Sequence, residues 1–121
     1  MSGPLDGCRV LLVEDEFLIA MAVEAALADA GARVVGPAKS VADARRLLGE
    51  APSVAVLDYR LVGGETSLPI ARDLAARGVP FLFHTGNATP DDLHAHFPGA
   101  QVLTKPCGED ALVASCAALV G

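Results

Sequence analysis

A chain of 121 residues with a formal net charge of −6 is the length of one domain, and it can bury a core without disulfides or structural metal. The acidic balance, with Arg45-Arg46 as the only adjacent basic pair, excludes nucleic-acid binding through phosphate neutralisation, and no apolar run approaches the roughly 18 residues of a membrane span. Cys8, Cys107 and Cys116 show no ligand spacing and read as reduced, packed thiols, and no basic segment leads into an apolar one at the N-terminus; the expected compartment is the cytoplasm.

Residues 1–7, with Gly3, Pro4 and Gly7, read as a short tail, and residues 8–121 as the domain. Arg9 to Val13 is a short apolar run that ends in acids and predicts a buried strand. Glu16 to Ala30 predicts a helix in which Phe17, Ile19, Met21, Val23 and Leu27 sit among alanines, closed by Gly31. Arg33 to Val35 reads as a second, shorter strand. Ser40 caps a predicted helix over Val41 to Leu48, with Asp43 at its third position. Ser53 to Leu57 is a third strand, apolar until Asp58, followed by a loop over Tyr59 to Ser67 that holds Gly63-Gly64. Leu68 to Arg77 predicts a helix with Pro69 tolerated in its first turn. Pro80 to Phe83 is a fourth strand. Thr89-Pro90-Asp91-Asp92 has the signature of a helix start: a cap, a proline, then acids on the positive end of the dipole. Ala100 to Leu103 is a fifth strand, and Gly108 to Val120 a last helix.

Five strand–helix units with strands apolar throughout indicate an α/β fold with a parallel sheet covered on both faces. Right-handed crossovers make it doubly wound, and 2-1-3-4-5 is the common strand order at this size. Its ligands gather at the carboxyl ends of strands 1 and 3, where the order reverses. Those ends carry Glu14, Asp15 and Glu16 after strand 1 and Asp58 after strand 3; His84-Thr85-Gly86 and Thr104-Lys105-Pro106 end strands 4 and 5.

Carboxylates crowded to within a few ångströms repel one another and take up protons unless a cation joins them. A hard divalent ion, Mg2+ above all, suits one or two direct carboxylates with water and a phosphate oxygen completing its octahedron. Asp58 can then be ligand and nucleophile at once, attacking a phosphoryl group to form an acyl phosphate. Mg2+, the Lys105 ammonium and the Thr85 hydroxyl are the counter-groups for the charge that spreads over the transferring oxygens.

Leu12-Val13-Glu14-Asp15-Glu16, Val56-Leu57-Asp58, His84-Thr85-Gly86 and Lys105-Pro106, in this order and each at a strand end, resemble the receiver domains of bacterial response regulators over nearly the whole chain. The resemblance implies a CheY-like, flavodoxin-like (βα)5 fold and assigns Asp58 as phosphoacceptor. It implies Asp15 as a direct Mg2+ ligand, Glu14 as one mostly through water, and the backbone carbonyl of Arg60 as a further ligand. Thr85 and Lys105 would hold the phosphoryl oxygens, and the Lys105–Pro106 bond is expected to be cis. It also implies phosphotransfer from a histidine kinase or histidine phosphotransfer protein, signalling to a downstream protein by contact, and a partner or homodimer face near the last strand and the helices beside it. A receiver catalyses only its own phosphorylation and dephosphorylation and is not otherwise an enzyme.

The family's switch aromatic is replaced here by Val102. Pro80-Phe81-Leu82-Phe83-His84-Thr85-Gly86 is similar to a subgroup of stand-alone receivers named for a Phe-Ala-Thr-Gly motif, which also lacks that aromatic and serves kinases of the HWE and related classes; His84 stands in place of its alanine. Arg60 and Asn87 fill positions that tune dephosphorylation, and His84 is placed either at the rim of the site or packed at the strand end. His94 and His96, two apart, point in different directions on a helix and do not suggest zinc. A receiver-like binding module that no longer uses phosphorylation is the alternative, kept open by Val102. A phosphohydrolase of the haloacid-dehalogenase type would need an Asp-x-Asp after strand 1, and flavin binding a phosphate loop there; the sequence has neither.

Overall fold

The computed structural model describes residues 3–86 and 93–120. Its elements are β1 (Arg9–Val13), α1 (Phe17–Asp29), β2 (Arg33–Ala38), α2 (Val41–Leu47), β3 (Val54–Leu57), α3 (Leu68–Ala76), β4 (Phe81–Thr85), β5 (Gln101–Thr104) and α4 (Glu109–Val120), with single 3-10 turns at Leu48–Glu50 and Val62–Gly64. The five strands form one sheet in the order β2-β1-β3-β4-β5, and all neighbours are parallel. This is the CheY-like receiver architecture.

Alternation along each strand builds two cores. Leu11 and Val13 of β1, Ala55 and Leu57 of β3 and Phe83 of β4 face α2 and α3, where they meet Ala44, Ile70, Ala71 and Leu74. Val10 and Leu12, Val54 and Val56, and Leu82 face the other way and meet Val23 and Leu27 of α1 and Leu112 and Cys116 of α4. Each such aliphatic side chain, fully removed from water, contributes about 1.5–3 kcal/mol. The chain has four Phe and one Tyr; four of these five rings, Tyr59, Phe83, Phe81 and Phe97, run edge to face through the first core. Val102 packs against the same cluster.

The helices start and stop for local reasons. Ser40 accepts a hydrogen bond from the Asp43 N–H at 3.2 Å and caps α2. Pro69 lies in the first turn of α3, where no N–H is needed. Gly31 takes φ +100° just past α1, in the left-handed region that glycine enters without strain.

Two segments differ from expectation. β2 runs on to Ala38, through a cis Gly36–Pro37 bond and a register shift opposite Leu11 to Val13. Gly36 has φ +110°, and a Cβ there would sit 2.7 Å from the Leu12 carbonyl oxygen, so the two strands can approach only at glycine. The stretch read as a tail is docked: Leu5 is fully buried in the α1/α4 core, and its N–H donates to the Ala30 carbonyl at 2.9 Å. The helix start at Thr89 to Asp92 lies outside the described residues. Among the described residues, no helix is long and apolar enough to cross a membrane.

Candidate functional site

Parallel register sets the geometry. Val13 pairs with Leu57, Leu57 with Phe83, and Thr85 with Thr104, so Glu14, Asp58, His84, Thr85 and Lys105 emerge along one edge. Backbone bonds hold them there. The Asp58 N–H donates to Val13 O at 2.9 Å, the Glu14 N–H to Ala38 O at 2.9 Å, and the Lys105 N–H to Thr85 O at 3.0 Å.

Lys105 is the hub. Its Nζ lies 2.8 Å from Glu14 Oε1, 3.2 Å from Asp58 Oδ2 and 3.6 Å from Glu16 Oε1. Glu14 and Asp58 are buried, while Glu16 is half in solvent at the N-terminus of α1, where its N–H donates to Glu14 Oε2 at 3.2 Å. One carboxylate oxygen from each of Glu14, Glu16 and Asp58 lies within 4.8 Å of the others.

Two buried carboxylates share one ammonium, and the electrostatics follow. Burial raises Glu14 to about 7 and the nearby Asp58 charge adds to this, against the lowering effect of Lys105. Burial opposes the Lys105 charge, yet the hydrogen bond it donates to Glu14 and the charge of Asp58 outweigh it and raise its pKa. His84 is lowered by burial first and by the Lys105 charge second.

Asp58 Oδ1 is buried and makes no hydrogen bond among the described residues. A carboxylate oxygen in that condition costs several kcal/mol unless a cation or donor meets it. Three acids around one ammonium, with one acid oxygen unclaimed, are a donor set that fits a hard divalent cation.

The structure brings Glu14, Asp58, Thr85, His84 and Lys105 together. Asp15 is half-buried and stands outside the oxygen group, whereas Glu16 belongs to it. The sequence places Glu16 in the acidic cluster after strand 1 but does not single it out as a ligand, because an acid just before a helix has an ordinary explanation in the helix dipole. Arg60 is exposed, its guanidinium 5.6 Å from the centre of the Tyr59 ring, and its backbone pairs with Thr66. Val102 is half-buried at the position where the family has its aromatic. The Lys105–Pro106 bond is cis. Asn87 lies outside the described residues.

No family model and no curated protein matches the chain. Among solved structures it is similar to SdrG from Sphingomonas melonis Fr1, with 39% identity and a TM-score of 0.79 over 99% of this chain and 98% of that one. The receiver (REC) domain of the response regulator PhyR from Erythrobacter litoralis shares the fold, with a TM-score of 0.84 at 24% identity over 98% and 93% of the two chains. The response regulator PhyR from Brucella abortus matches at 28% identity and a TM-score of 0.80 over 93% of this chain. This chain spans about half of that protein's length, 47%.

Proposed function

We propose, from the premise that this chain belongs to the receiver domains of response regulators, that it is a phosphorelay receiver whose Asp58 accepts a phosphoryl group in a Mg2+-dependent reaction. The observation that carries this reading is the buried Asp58 with one oxygen on Lys105 and the other unclaimed. The claimed oxygen is oriented by the ammonium. The free one points to chemistry that the protein itself does not satisfy.

Glu14, Glu16 and Asp58 are the side chains present to hold the cation, with Asp15 and the Arg60 carbonyl implied by the family. Bound there, Mg2+ would neutralise the crowded acids and draw charge from the phosphoryl oxygens. Asp58 attacks phosphorus while the bond from phosphorus to the donor nitrogen breaks, and the donor histidine leaves with the electron pair. Lys105 must release Glu14 to meet the new oxygens, and Thr85, fully buried at the end of β4, lies in the same row to receive another. Loss of the Lys105 contact is then the local event that phosphorylation imposes on the rim.

The donor is a histidine kinase or histidine phosphotransfer protein, the output a protein contact, and the compartment the cytoplasm. The PhyR of Bartonella quintana, 26% identical, is an anti-anti-sigma factor; a protein target of that regulatory class suits this chain as well. The Phe83-His84-Thr85-Gly86 run and Val102 support a reading close to the Phe-Ala-Thr-Gly subgroup, whose kinases are of the HWE and related classes.

Treatment with acetyl phosphate in Mg2+ tests the reading by intact mass. Labelling that appears with Mg2+ and vanishes with EDTA is expected. An unlabelled wild type in Mg2+ would favour the phosphorylation-independent binding module, the reading to which Val102 lends weight.

A further inference from the structure

The segment that links Asp58 to α3 folds back on itself. The Leu61 N–H donates to Glu65 O at 2.8 Å and the Ser67 N–H to Tyr59 O at 2.8 Å, and Arg60 and Thr66 form an antiparallel bridge between these bonds. Gly63 and Gly64, at φ +76° and +79°, close the turn, in the left-handed region that glycine enters without strain. The two bonds flank the Arg60–Thr66 pair and use the backbone groups of neither residue. In such a pair both residues turn their own N–H and C=O outward, so the Arg60 carbonyl is directed away from Thr66.

Packing contributes little at the far end of this hairpin. Residues 62–65 are exposed, and a Cβ at Gly63 or Gly64 would meet nothing within 4 Å. Glu65 ties the hairpin to the body of the protein: its Oε1 accepts from the Val41 N–H at 3.1 Å. Val41 opens α2, and its N–H is one of the donors that a helix cannot satisfy from within. The helix has a cap of its own in Ser40, which accepts from the Asp43 N–H; the Glu65 bond adds a tie between two loops. Those loops carry the two shoulders of the acid site. Ala38 O, just ahead of α2, holds the Glu14 N–H at 2.9 Å, and Tyr59 and Arg60 follow Asp58 directly. Glu65 is not one of the grouped acids Glu14, Glu16 and Asp58, so it acts on that site through the backbone.

We infer that Glu65 is a positioning residue for the cation site: its carboxylate anchors the hairpin after Asp58 to α2 and so holds the Arg60 carbonyl in place to ligate Mg2+. This rests on the receiver reading, which supplies that carbonyl as a ligand, and gives a role to a side chain that is itself no ligand. A site binds more tightly when its ligands are already ordered. Loss of the anchor therefore weakens Mg2+ binding although every ligand remains.

Mg2+ titrations of wild type, Glu65→Ala, Glu65→Gln and Ser40→Ala, followed by amide NMR shifts, give the dissociation constants, and hydrogen exchange in EDTA reads the hairpin without metal. Glu65 is exposed, so its substitution leaves both cores intact. Expected in Glu65→Ala is an Mg2+ Kd weaker by about fivefold, with faster exchange at the Leu61 and Ser67 amides. Glu65→Gln keeps an acceptor oxygen and loses the charge, and its Kd should stay within about twofold of wild type. Ser40→Ala weakens α2 itself and should leave the Kd within the same margin. A Glu65→Ala Kd within about twofold of wild type would overturn the inference, and so would unchanged Leu61 exchange in that variant. Glu65→Gln as weak as Glu65→Ala would assign the effect to charge, and Ser40→Ala as weak would assign it to the helix; either result overturns the inference while wild-type binding leaves the receiver reading standing. A wild type that binds no Mg2+ would remove the receiver reading and the inference with it.

Discussion

The rim at the carboxyl ends of the strands and the interior a few residues below it follow opposite rules. In the interior, Val10 to Val13 and Val54 to Leu57 are apolar without exception and almost fully buried, and every side chain finds matching neighbours on α1 to α4. One residue further along each strand, Glu14 and Asp58 are as deeply buried but polar, crowded and incompletely paired. A core of this kind stabilises without chemistry; the rim holds chemistry at a cost in stability. The contrast teaches that substitutions below the rim should lower stability and spare labelling, whereas those at the rim should alter the chemistry, with stability following the balance of buried charge.

The largest expected effect is at Asp58. Asp58→Asn should abolish acetyl phosphate labelling while circular dichroism and the urea midpoint stay near wild type or rise, because a buried charge has been removed. Residual labelling at another residue would erase the distinction between the two regions. On the other side of the contrast, Ile70→Ala empties space in the α2/α3 core and should lower unfolding free energy by about 2–5 kcal/mol. Urea denaturation checks this, and the folded fraction should still be labelled.

Lys105→Ala strips the ammonium from Glu14 and Asp58 and should destabilise the protein in EDTA. Saturating Mg2+ should then raise its Tm by more than it raises that of wild type, since the cation supplies the missing positive charge. Equal Mg2+ shifts in thermal melts of the two proteins would show that Lys105 and the cation do not share the same acids.

Glu14 gives the pH dependence. Its pKa is raised from 4.5 to about 7, so the folded protein holds a proton that the unfolded chain has lost. Its favourable contribution is fully present below about pH 4.5 and is lost as pH rises through about 7. In EDTA, Glu14→Gln should flatten the stability-versus-pH slope in that window, and Mg2+ affinity of wild type should weaken as pH falls below about 7. The smallest effect is farthest from the rim: Ser40→Ala removes the α2 cap and should cost about 1 kcal/mol in urea melts without altering labelling.

Much of this contrast was legible in the sequence, because apolar runs that stop abruptly at acids mark both the buried strand and its functional end. β1 and β3 read this way, and the strand order followed from the parallel, two-sided burial they implied. β2 was cut short because Gly36-Pro37 looks like a stop, whereas the strand continues past a register shift that only glycine allows. Leu5 was unreadable: one leucine in a Gly- and Pro-containing stretch has no periodicity, and its partner Ala30 lies across the fold. Glu16 joined the oxygen group through the turn into α1, a tertiary placement that its sequence neighbours do not encode.

Borohydride trapping after acetyl phosphate treatment in Mg2+, followed by peptide mass spectrometry, tests most directly whether the crowded rim makes one aspartate reactive. Reduction confined to residue 58, and absent when EDTA replaces Mg2+, is the predicted result. Reduction at Asp15, Glu14 or any other acid with Asp58 untouched would contradict it.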